Sequence, residues 1–318
     1  MKNLPLPLDE TTISEHLGRQ IKSPVRIATL NDTGIDQNLF VKTFSPFFEQ
    51  LPWDPYDPKK VQIELLEDWF PEEKQEIHTH FKPYFLGKES FEALTPWTHR
   101  LNPQKLEQLK SIQPWRRRSV SKFRIIEQED GSLNIKRHPV PQFVQDVDEA
   151  DYRSWPRFFQ EAPAEHVENE LFRQFLAVAF RTMQKARKTI GQHVTKAKIV
   201  VHFMSVKSTT DHPGDNSPEG AHEDGADYII SALVINRINI TGGESQIIEQ
   251  VANGSKEVIY SHTLQPGEFV FQADSRDEHI YGTDLWHHVT PFVVDDLSQG
   301  YGWRDIIGFD INVWNDDE

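Results

Sequence analysis

The chain has 318 residues and no cysteine, and 49 acidic side chains against 34 lysines and arginines give it a formal net charge of −15. This balance argues against sequence-independent binding of nucleic acid or of an anionic membrane, because both need clustered cations. The absence of cysteine excludes disulfides, thiolate zinc sites and a cysteine nucleophile, so a bound metal would need histidine and carboxylate ligands.

The N-terminal portion, residues 1–114, mixes short helical patterns with prolines and tryptophans. It opens without the apolar core of a signal peptide, and no apolar run approaches the roughly 18 residues of a membrane span. Apolar residues recur at helical spacing over Val61–Trp69 and Gln104–Ile112, which predicts two short amphipathic helices. We expect an N-terminal α/β extension, packed on a core, in a cytoplasmic protein that acts on a small molecule.

Three consecutive arginines, Arg116, Arg117 and Arg118, precede a predicted hairpin that turns through Asp130-Gly131. In a strand, Arg116 and Arg118 would face one side and Arg117 the other. Two interpretations stay open. The arginines are either solvated charges on a sheet edge that discourage aggregation, or one of them holds a substrate carboxylate with two hydrogen bonds.

A long scaffold helix is predicted over residues 166–190, where apolar residues recur at helical spacing and cations collect in the last turn. After Gly191 the pattern changes to the alternation of strands. Seven such runs cover residues 198–207, 228–236, 245–250, 257–264, 268–272, 285–292 and 305–314. Short strands with regular turn signals are typical of sandwiches, barrels and jelly rolls. We therefore predict an α+β, mainly β, chain.

The residues that could hold a metal lie within this β region. His222 and Asp224 stand two apart in a glycine-flanked turn, so both side chains can point to one side. Of the adjacent His287 and His288, only one can face into a barrel. Two nitrogens and one carboxylate form the facial triad that holds a non-haem Fe(II). Arg304 opens the last strand, and a guanidinium there suits the distal carboxylate of 2-oxoglutarate.

Four motifs follow one another in this part of the chain. They are Glu219-Gly-x-His222-x-Asp224-Gly225, Leu233-Val-x-Asn236-Arg237-x-Asn239-x-x-Gly242-Gly243-Glu244-Ser245, His287-x-Val289-Thr290-Pro291 and Arg304-Asp305. In this order they resemble the Fe(II)- and 2-oxoglutarate-dependent dioxygenases of the isoleucine-hydroxylase type, over roughly residues 115–316. That family acts on free amino acids.

The resemblance implies a double-stranded β-helix, or cupin-like jelly roll, over residues 115–318. It implies Fe(II) as the metal, with 2-oxoglutarate and O2 as co-substrates. Carried over to this sequence, it makes His222, Asp224 and His287 the iron ligands, and the His-x-Val-Thr-Pro spacing favours His287 over its neighbour. It makes Arg304 the anchor of 2-oxoglutarate.

The implied reaction is hydroxylation of an unactivated C–H of a free L-amino acid, aliphatic or cyclic, with succinate and CO2 as co-products. One of the three consecutive arginines would then bind the substrate carboxylate. Asp227 either supports a metal ligand or caps a turn, and Arg237 either supports the site or stabilises a hairpin. Two other functions stay open, a non-catalytic cupin-like binding protein and a zinc hydrolase with Glu223 as its base, although Arg304 has no role in a hydrolase.

Overall fold

The structure, a computed structural model, describes residues 24–140, 142–144, 152–250, 254–274, 280–281 and 284–314. Residues 1–23 of the predicted N-terminal extension lie outside these ranges. The chain divides into two compact units. The larger one, here the sheet unit, comprises Met1–Leu51, Arg118–Val140 and Gln160–Glu318, and the smaller one, here the helical unit, comprises Pro52–Arg117 and Pro141–Phe159.

Eight α-helices lie in the described ranges. They are α1 (Gln37–Phe48), α2 (Tyr56–Trp69), α3 (Lys74–His80), α4 (Lys82–Phe85), α5 (Thr95–Thr98), α6 (Pro103–Ser111), α7 (Ala164–Val167) and α8 (Glu170–Thr189). The two amphipathic helices predicted in the N-terminal portion are confirmed as α2 and α6. Helix α2 begins before its predicted start because Pro58 lies in its first turn, where a missing N–H is tolerated. None of these helices is long and apolar enough to cross a membrane.

Twelve strands are described. They are β1 (Val25–Thr29), β2 (Arg116–Glu127), β3 (Leu133–His138), β4 (Lys196–Thr209), β5 (Tyr228–Ile238), β6 (Ile240–Gly242), β7 (Ser245–Gln250), β8 (Lys256–His262), β9 (Glu268–Ala273), β10 (Asp284–Val289), β11 (Phe292–Val294) and β12 (Tyr301–Val313). All seven predicted runs are strands, and the run predicted over 285–292 is divided between β10 and β11. The predicted hairpin is confirmed as β2 and β3, in which Phe123 pairs with Arg137.

The strands form one large and two small sheets. The large sheet has the order β1-β9-β5-β12-β4-β2-β3, and a three-stranded sheet has the order β10-β7-β8. Strands β11 and β6 pair separately. The long strand β12 is antiparallel to both β4 and β5, so its side chains alternate between the two faces at the centre of the large sheet.

One face of the large sheet is covered by the scaffold helix, which is confirmed as α8. Asn169 caps the helix, since its side chain accepts a hydrogen bond from the N–H of Leu171. The buried Phe172 of α8 lies 5.6 Å from Phe203 of β4, measured between ring centroids. Burial of such aromatic side chains supplies much of the apolar area that stabilises the sheet unit.

The opposite face of the large sheet shares an apolar cluster with the three-stranded sheet. Val234 and Ile306 from the large sheet pack there with Ile247 and Leu285 from the small one, whereas Ile307 belongs to the cluster on the α8 side. This change of side between neighbours follows from strand alternation. Helices together with antiparallel sheets fit a mainly-β, jelly-roll-like core.

The N-terminal portion contributes to both units. Strand β1 pairs with β9 of the large sheet, and Phe44 of α1 lies 5.8 Å from Phe172 of α8. The helical unit has an apolar cluster of its own, which includes Ile63, Phe81 and Trp97. The predicted division into an extension over residues 1–114, packed on a core over residues 115–318, stays a prediction.

Candidate active site

Backbone pairing brings two of the predicted metal ligands together. His222 lies in the turn-rich segment before β5, and His287 lies in β10. The two residues form an antiparallel bridge in which the N–H of each donates to the carbonyl of the other, both at 3.0 Å. Paired residues of antiparallel strands carry their side chains on the same side. The two imidazoles therefore face the same space, with ring centroids 4.2 Å apart.

Asp224 completes a group that we call the metal cluster, formed by His222, Asp224 and His287. One ligand atom from each lies within 4.8 Å of the others. Asp224 Oδ2 is 3.4 Å from His287 Nε2, and Asp224 Oδ1 is 3.6 Å from His222 Nε2. An ion about 2.1 Å from two ligands at right angles would hold them about 3.0 Å apart. The donor set and its spacing therefore fit a divalent ion of the facial-triad kind.

The hydrogen bond of His222 and the burial of His287 both suit metal binding. Nδ1–H of His222 donates to the carbonyl of Gly220 at 2.9 Å, which leaves the Nε2 lone pair directed at the cluster. Burial, followed by the nearness of His222, holds the pKa of His287 well below its usual value. His287 is therefore neutral at pH 7, the form in which imidazole binds metals. Glu219 Oε1 lies 3.2 Å from His222 Nε2 and adds an acidic group beside the cluster.

The two neighbouring histidines of β10 face opposite sides. Leu285, His287 and Val289 are buried, whereas Trp286 and His288 between them are partly exposed. His287 pairs with Ile247, which belongs to the apolar cluster between the two sheets. The strand register therefore turns His287 towards Asp224 and His288 away.

Asp274 holds the turn that carries Asp224, and the sequence analysis did not single it out. It is buried directly after β9. Asp274 Oδ2 accepts hydrogen bonds from the backbone N–H of Asp224 at 3.0 Å and of Ala226 at 2.9 Å. Burial, and then the charge of Asp224, raise the pKa of Asp274 well above its usual value. An acidic residue placed directly after an apolar strand was the available sequence signal.

Arg304 is a fully buried cation in β12. Its Nη1 donates to Asn216 Oδ1 at 2.9 Å, and its Nη2 lies 3.4 Å from Ser245 Oγ. Burial, followed by the charge of Arg237, lowers the pKa of Arg304 to about 9. Within the described part of the chain, no carboxylate forms an ion pair with Arg304. Because a buried charge without a counter-ion is strongly unfavourable, this position fits an anionic ligand.

Arg237 of β5 lies directly opposite Arg304 in the register of β5 and β12. Its Nη2 donates to the carbonyl of Gly242 at 2.6 Å, and burial lowers its pKa. A Cβ added to Gly243 would lie 3.4 Å from Arg237 Nη1 and 3.5 Å from Arg304 Cδ, so the glycine turn packs against both side chains. Like charges directly opposite in a sheet are destabilising. We call this pair, with Asn216 and Ser245, the anion pocket.

The structure directs the three consecutive arginines to different partners. Within the helical unit, Arg116 Nε lies 3.2 Å from Asp57 Oδ2, and the Arg117 guanidinium lies 4.6 Å from the centroid of the Trp53 ring. Arg118 belongs to the sheet unit, where it contacts a histidine of β4. Which of the two interpretations holds for each arginine stays a prediction.

Asp227 ties the ligand-bearing turn to neighbouring elements. Its Oδ2 accepts a hydrogen bond from the N–H of Val313 at 2.6 Å and lies 3.5 Å from Arg187 Nη2 of α8. Its carbonyl accepts from the N–H of Asp274 at 3.1 Å. Through these contacts it joins β12, α8 and the residue that holds Asp224. Direct support of a metal ligand by Asp227 stays a prediction.

A sequence model of 2OG-Fe dioxygenases matches residues 102–310. The chain belongs to the 2OG-Fe dioxygenase family. Enzymes of this family use Fe(II), 2-oxoglutarate and O2, so the cofactor and co-substrates of the dioxygenase are those expected from its motifs. No curated protein matches the chain significantly.

Solved structures resemble the dioxygenase to different degrees. A bsmA homologue from Methylobium petroleophilum PM1 has a TM-score of 0.57 at 17% identity, over 98% of this chain and 96% of that one. It therefore shares the fold. The structure of IDO from Bacillus thuringiensis has a TM-score of 0.42 at 17% identity, over 63% of this chain and 78% of that one. A full-length protein from Neurospora crassa, solved in complex with alpha-KG, has a TM-score of 0.33 at 14% identity, over 88% of this chain and 82% of that one.

The arrangement of the dioxygenase's residues fits both the iron and the 2-oxoglutarate that its family uses. Ser245, which contacts Arg304, and Ile247, which pairs with His287, are two residues apart in β7. Two residues of a strand span about 7 Å. The β7 residues beside the anion pocket and beside the metal cluster are thus about 7 Å apart. This separation suits a five-carbon dicarboxylate with one end at each.

Proposed function

We propose that this dioxygenase hydroxylates an unactivated C–H of a free L-amino acid, aliphatic or cyclic, and releases succinate and CO2. Isoleucine, leucine, proline and pipecolate are the leading candidates. The observation that carries the co-substrate half of the proposal is the buried Arg304 with the partly buried Arg237 opposite it, close to the metal cluster along β7. The amino-acid half is supported by the order of the four motifs, which resembles the isoleucine-hydroxylase type.

In this proposal His222, Asp224 and His287 hold the iron. Bound iron, with 2-oxoglutarate and O2, supplies the oxidant that removes hydrogen from the substrate C–H. Two imidazoles and one carboxylate would leave open positions on the metal for the two co-substrates. Asp274 keeps Asp224 in place through its hydrogen bonds to the turn, so the carboxylate does not have to be ordered when iron binds.

Arg304 and Arg237 together receive the distal carboxylate of 2-oxoglutarate. A guanidinium matches a carboxylate with two parallel hydrogen bonds, and a second guanidinium opposite provides donors for the remaining lone pairs. Binding also places a negative charge between two positive ones, which removes the repulsion that they have in the unliganded protein. The hydroxyl of Ser245 and the amide of Asn216 fix the orientation of Arg304.

The test is a substrate screen with purified protein, Fe(II) and 2-oxoglutarate. Free amino acids are supplied one at a time, and succinate is measured together with a product one oxygen atom heavier than the substrate. A His222→Ala variant serves as the inactive control. Succinate formation coupled to an oxygenated amino acid would support the proposal. Coupled turnover with peptides or non-amino-acid substrates only would disprove the substrate class and leave the dioxygenase chemistry intact.

A further inference from the structure

A charged row crosses the large sheet on the face that bears Arg304. Arg118 Nη2 of β2 donates to His202 Nδ1 of β4 at 3.0 Å, and His202 Nε2 lies 2.9 Å from Asp310 Oδ2 of β12. His202 is buried, and no motif of the sequence analysis includes it or Asp310. We call these three residues the head-group row. A cation and an anion thus stand on either side of one imidazole.

The row fixes the tautomer of His202. A guanidinium can only donate hydrogen bonds, so Nδ1 of His202 accepts from Arg118. The proton of the neutral ring is then on Nε2, from which it is donated to Asp310. In this arrangement the imidazole separates two opposite charges without neutralising either of them. The positive and negative ends of the row stay fixed in position.

Strand alternation places the row on the same side as the anion pocket. In β12, Arg304, Ile306, Gly308 and Asp310 occupy alternate positions and share one face, whereas Phe309 packs on the α8 side. Ile306 of this face lies in the apolar cluster between the two sheets. The face therefore runs from the anion pocket, past an apolar side chain, to the charged row.

The row is also electrostatically close to the metal cluster. The charge of Asp310 contributes to raising the pKa of Asp274, which holds the turn of Asp224. The same charge acts on His287, where it opposes the stronger effect of burial on the pKa. The charge of Asp310 therefore acts on two groups at or beside the metal cluster.

Gly308 has no side chain on this face beside the row. It pairs with His202 in the register of β4 and β12. A Cβ added to it would have no heavy atom nearer than 3.8 Å, and the Cβ of His202 would be 3.9 Å away. The absence of a side chain here is therefore not required by packing. Gly308 therefore places no side chain between Ile306 and Asp310 on this face.

We propose that the head-group row binds the zwitterionic head of the amino-acid substrate, with Arg118 on its carboxylate and Asp310 on its ammonium group. This inference rests on the proposed function and names the residues that would select a free amino acid. Both charges of an α-amino acid are carried on one carbon, and each would face its opposite across the imidazole of His202. The side chain would lie over Gly308 and Ile306 towards the metal cluster.

The test uses two variants that remove one charge each and keep a hydrogen-bonding side chain. Asp310→Asn can still accept the Nε2–H of His202, and Arg118→Gln can still donate to its Nδ1. Arg124→Gln is the matched control, because Arg124 lies in the same strand and stacks on Trp314, with 4.6 Å between guanidinium and ring centroid. Folding of each variant is checked by its thermal unfolding temperature.

Binding is measured by calorimetry, without O2, on protein loaded with Fe(II) and 2-oxoglutarate. The ligands are L-isoleucine, L-leucine, L-proline and L-pipecolate, each as the free acid, the N-acetyl derivative and the carboxamide. Asp310→Asn should raise the Kd of the free acid roughly 10- to 100-fold and abolish the preference over the N-acetyl form. Arg118→Gln should raise the Kd of the free acid by a similar factor but abolish the preference for the free acid over the carboxamide. Arg124→Gln should bind as the wild type does.

Two results with the variants would overturn the inference. One is an unchanged Kd of the free acid in both variants. The other is an equal loss for all three forms of the ligand, because a row with a purely structural role would not distinguish which end is neutral. If the wild type binds none of the four free acids but forms succinate with a substrate that is not a free amino acid, the proposed substrate class fails, and the head-group assignment fails with it. Absence of any 2-oxoglutarate turnover would instead reject the proposed function itself.

Discussion

Replacing Arg304 by methionine should make the unliganded dioxygenase more stable, although it removes the proposed anchor of 2-oxoglutarate. Burial and the charge of Arg237 lower the pKa of Arg304 from its usual value above 12 to about 9. At about 1.4 kcal/mol for each unit of pKa, the buried charge costs the unliganded folded state about 5 kcal/mol. Losing the contacts to Asn216 and Ser245 offsets about 2 kcal/mol of this. The expected net stabilisation is about 3 kcal/mol.

Urea unfolding, extrapolated to water, measures this difference at neutral pH. The wild type should gain about 3 kcal/mol when 2-oxoglutarate is present at 100 times its Kd, and Arg304→Met should gain nothing. The matched control is Arg187→Met in α8. Arg187 is also buried, but it lies 3.5 Å from Asp227 Oδ2, so the same substitution there should destabilise the protein.

The pH dependence of the stability difference between Arg304→Met and the wild type provides an independent check. Arg304 has a lower pKa in the folded than in the unfolded state, so its destabilising effect is complete below about pH 9 and is relieved as the pH rises above it. The stability advantage of Arg304→Met should therefore shrink between about pH 8 and about pH 10.5. A variant less stable than the wild type at pH 7, or one still stabilised by 2-oxoglutarate, would refute the reasoning.

Three further outcomes are expected from single substitutions. His287→Ala should abolish Fe(II) binding measured by calorimetry, whereas His288→Ala should retain it; the opposite result would mean that the register of β10 is shifted by one residue. Asp274→Ala leaves one buried and one partly buried N–H group without acceptors and should lower the free energy of unfolding by about 2–6 kcal/mol, with weaker Fe(II) binding; an unchanged iron affinity would show that the turn holds Asp224 by itself. Gly302→Ala should unfold at a markedly lower temperature than Gly308→Ala, because its Cβ would lie 2.3 Å from a backbone oxygen whereas the other meets nothing within 3.8 Å; equal unfolding temperatures would contradict this packing.

The sequence predicted those parts of the site that depend on local spacing. His222 and Asp224 are two residues apart, so any extended backbone turns them to one side. Strand alternation also required that His287 and His288 face opposite ways, although it could not say which faced inwards. The predicted run over 285–292 continued through Pro291, but the structure ends β10 at Val289, since proline has no N–H for a strand ladder.

Features that depend on pairing between distant segments were not predictable. That Arg237 lies opposite Arg304 follows from the register of β5 and β12, which shifts between Asp305 and Ile306 and again between Ile307 and Phe309. Asp274 supports Asp224 only because β9 ends beside the turn. Strand β1 was missed because five residues carry too little periodicity, and its stability as a strand comes from pairing with β9.

The hydrogen bonds between His222 and His287 bear on how iron is exchanged. They join the two imidazole-bearing segments through the backbone, at 3.0 Å in each direction, without any contribution from a metal. Bringing these segments together is therefore part of folding and adds little ordering entropy to metal binding. We expect that a chelator can strip the iron while the fold persists, and that added Fe(II) restores it without refolding. Redox-silent ions should replace the iron in the same scaffold, also without refolding. The site is therefore suited to metal substitution under anaerobic conditions.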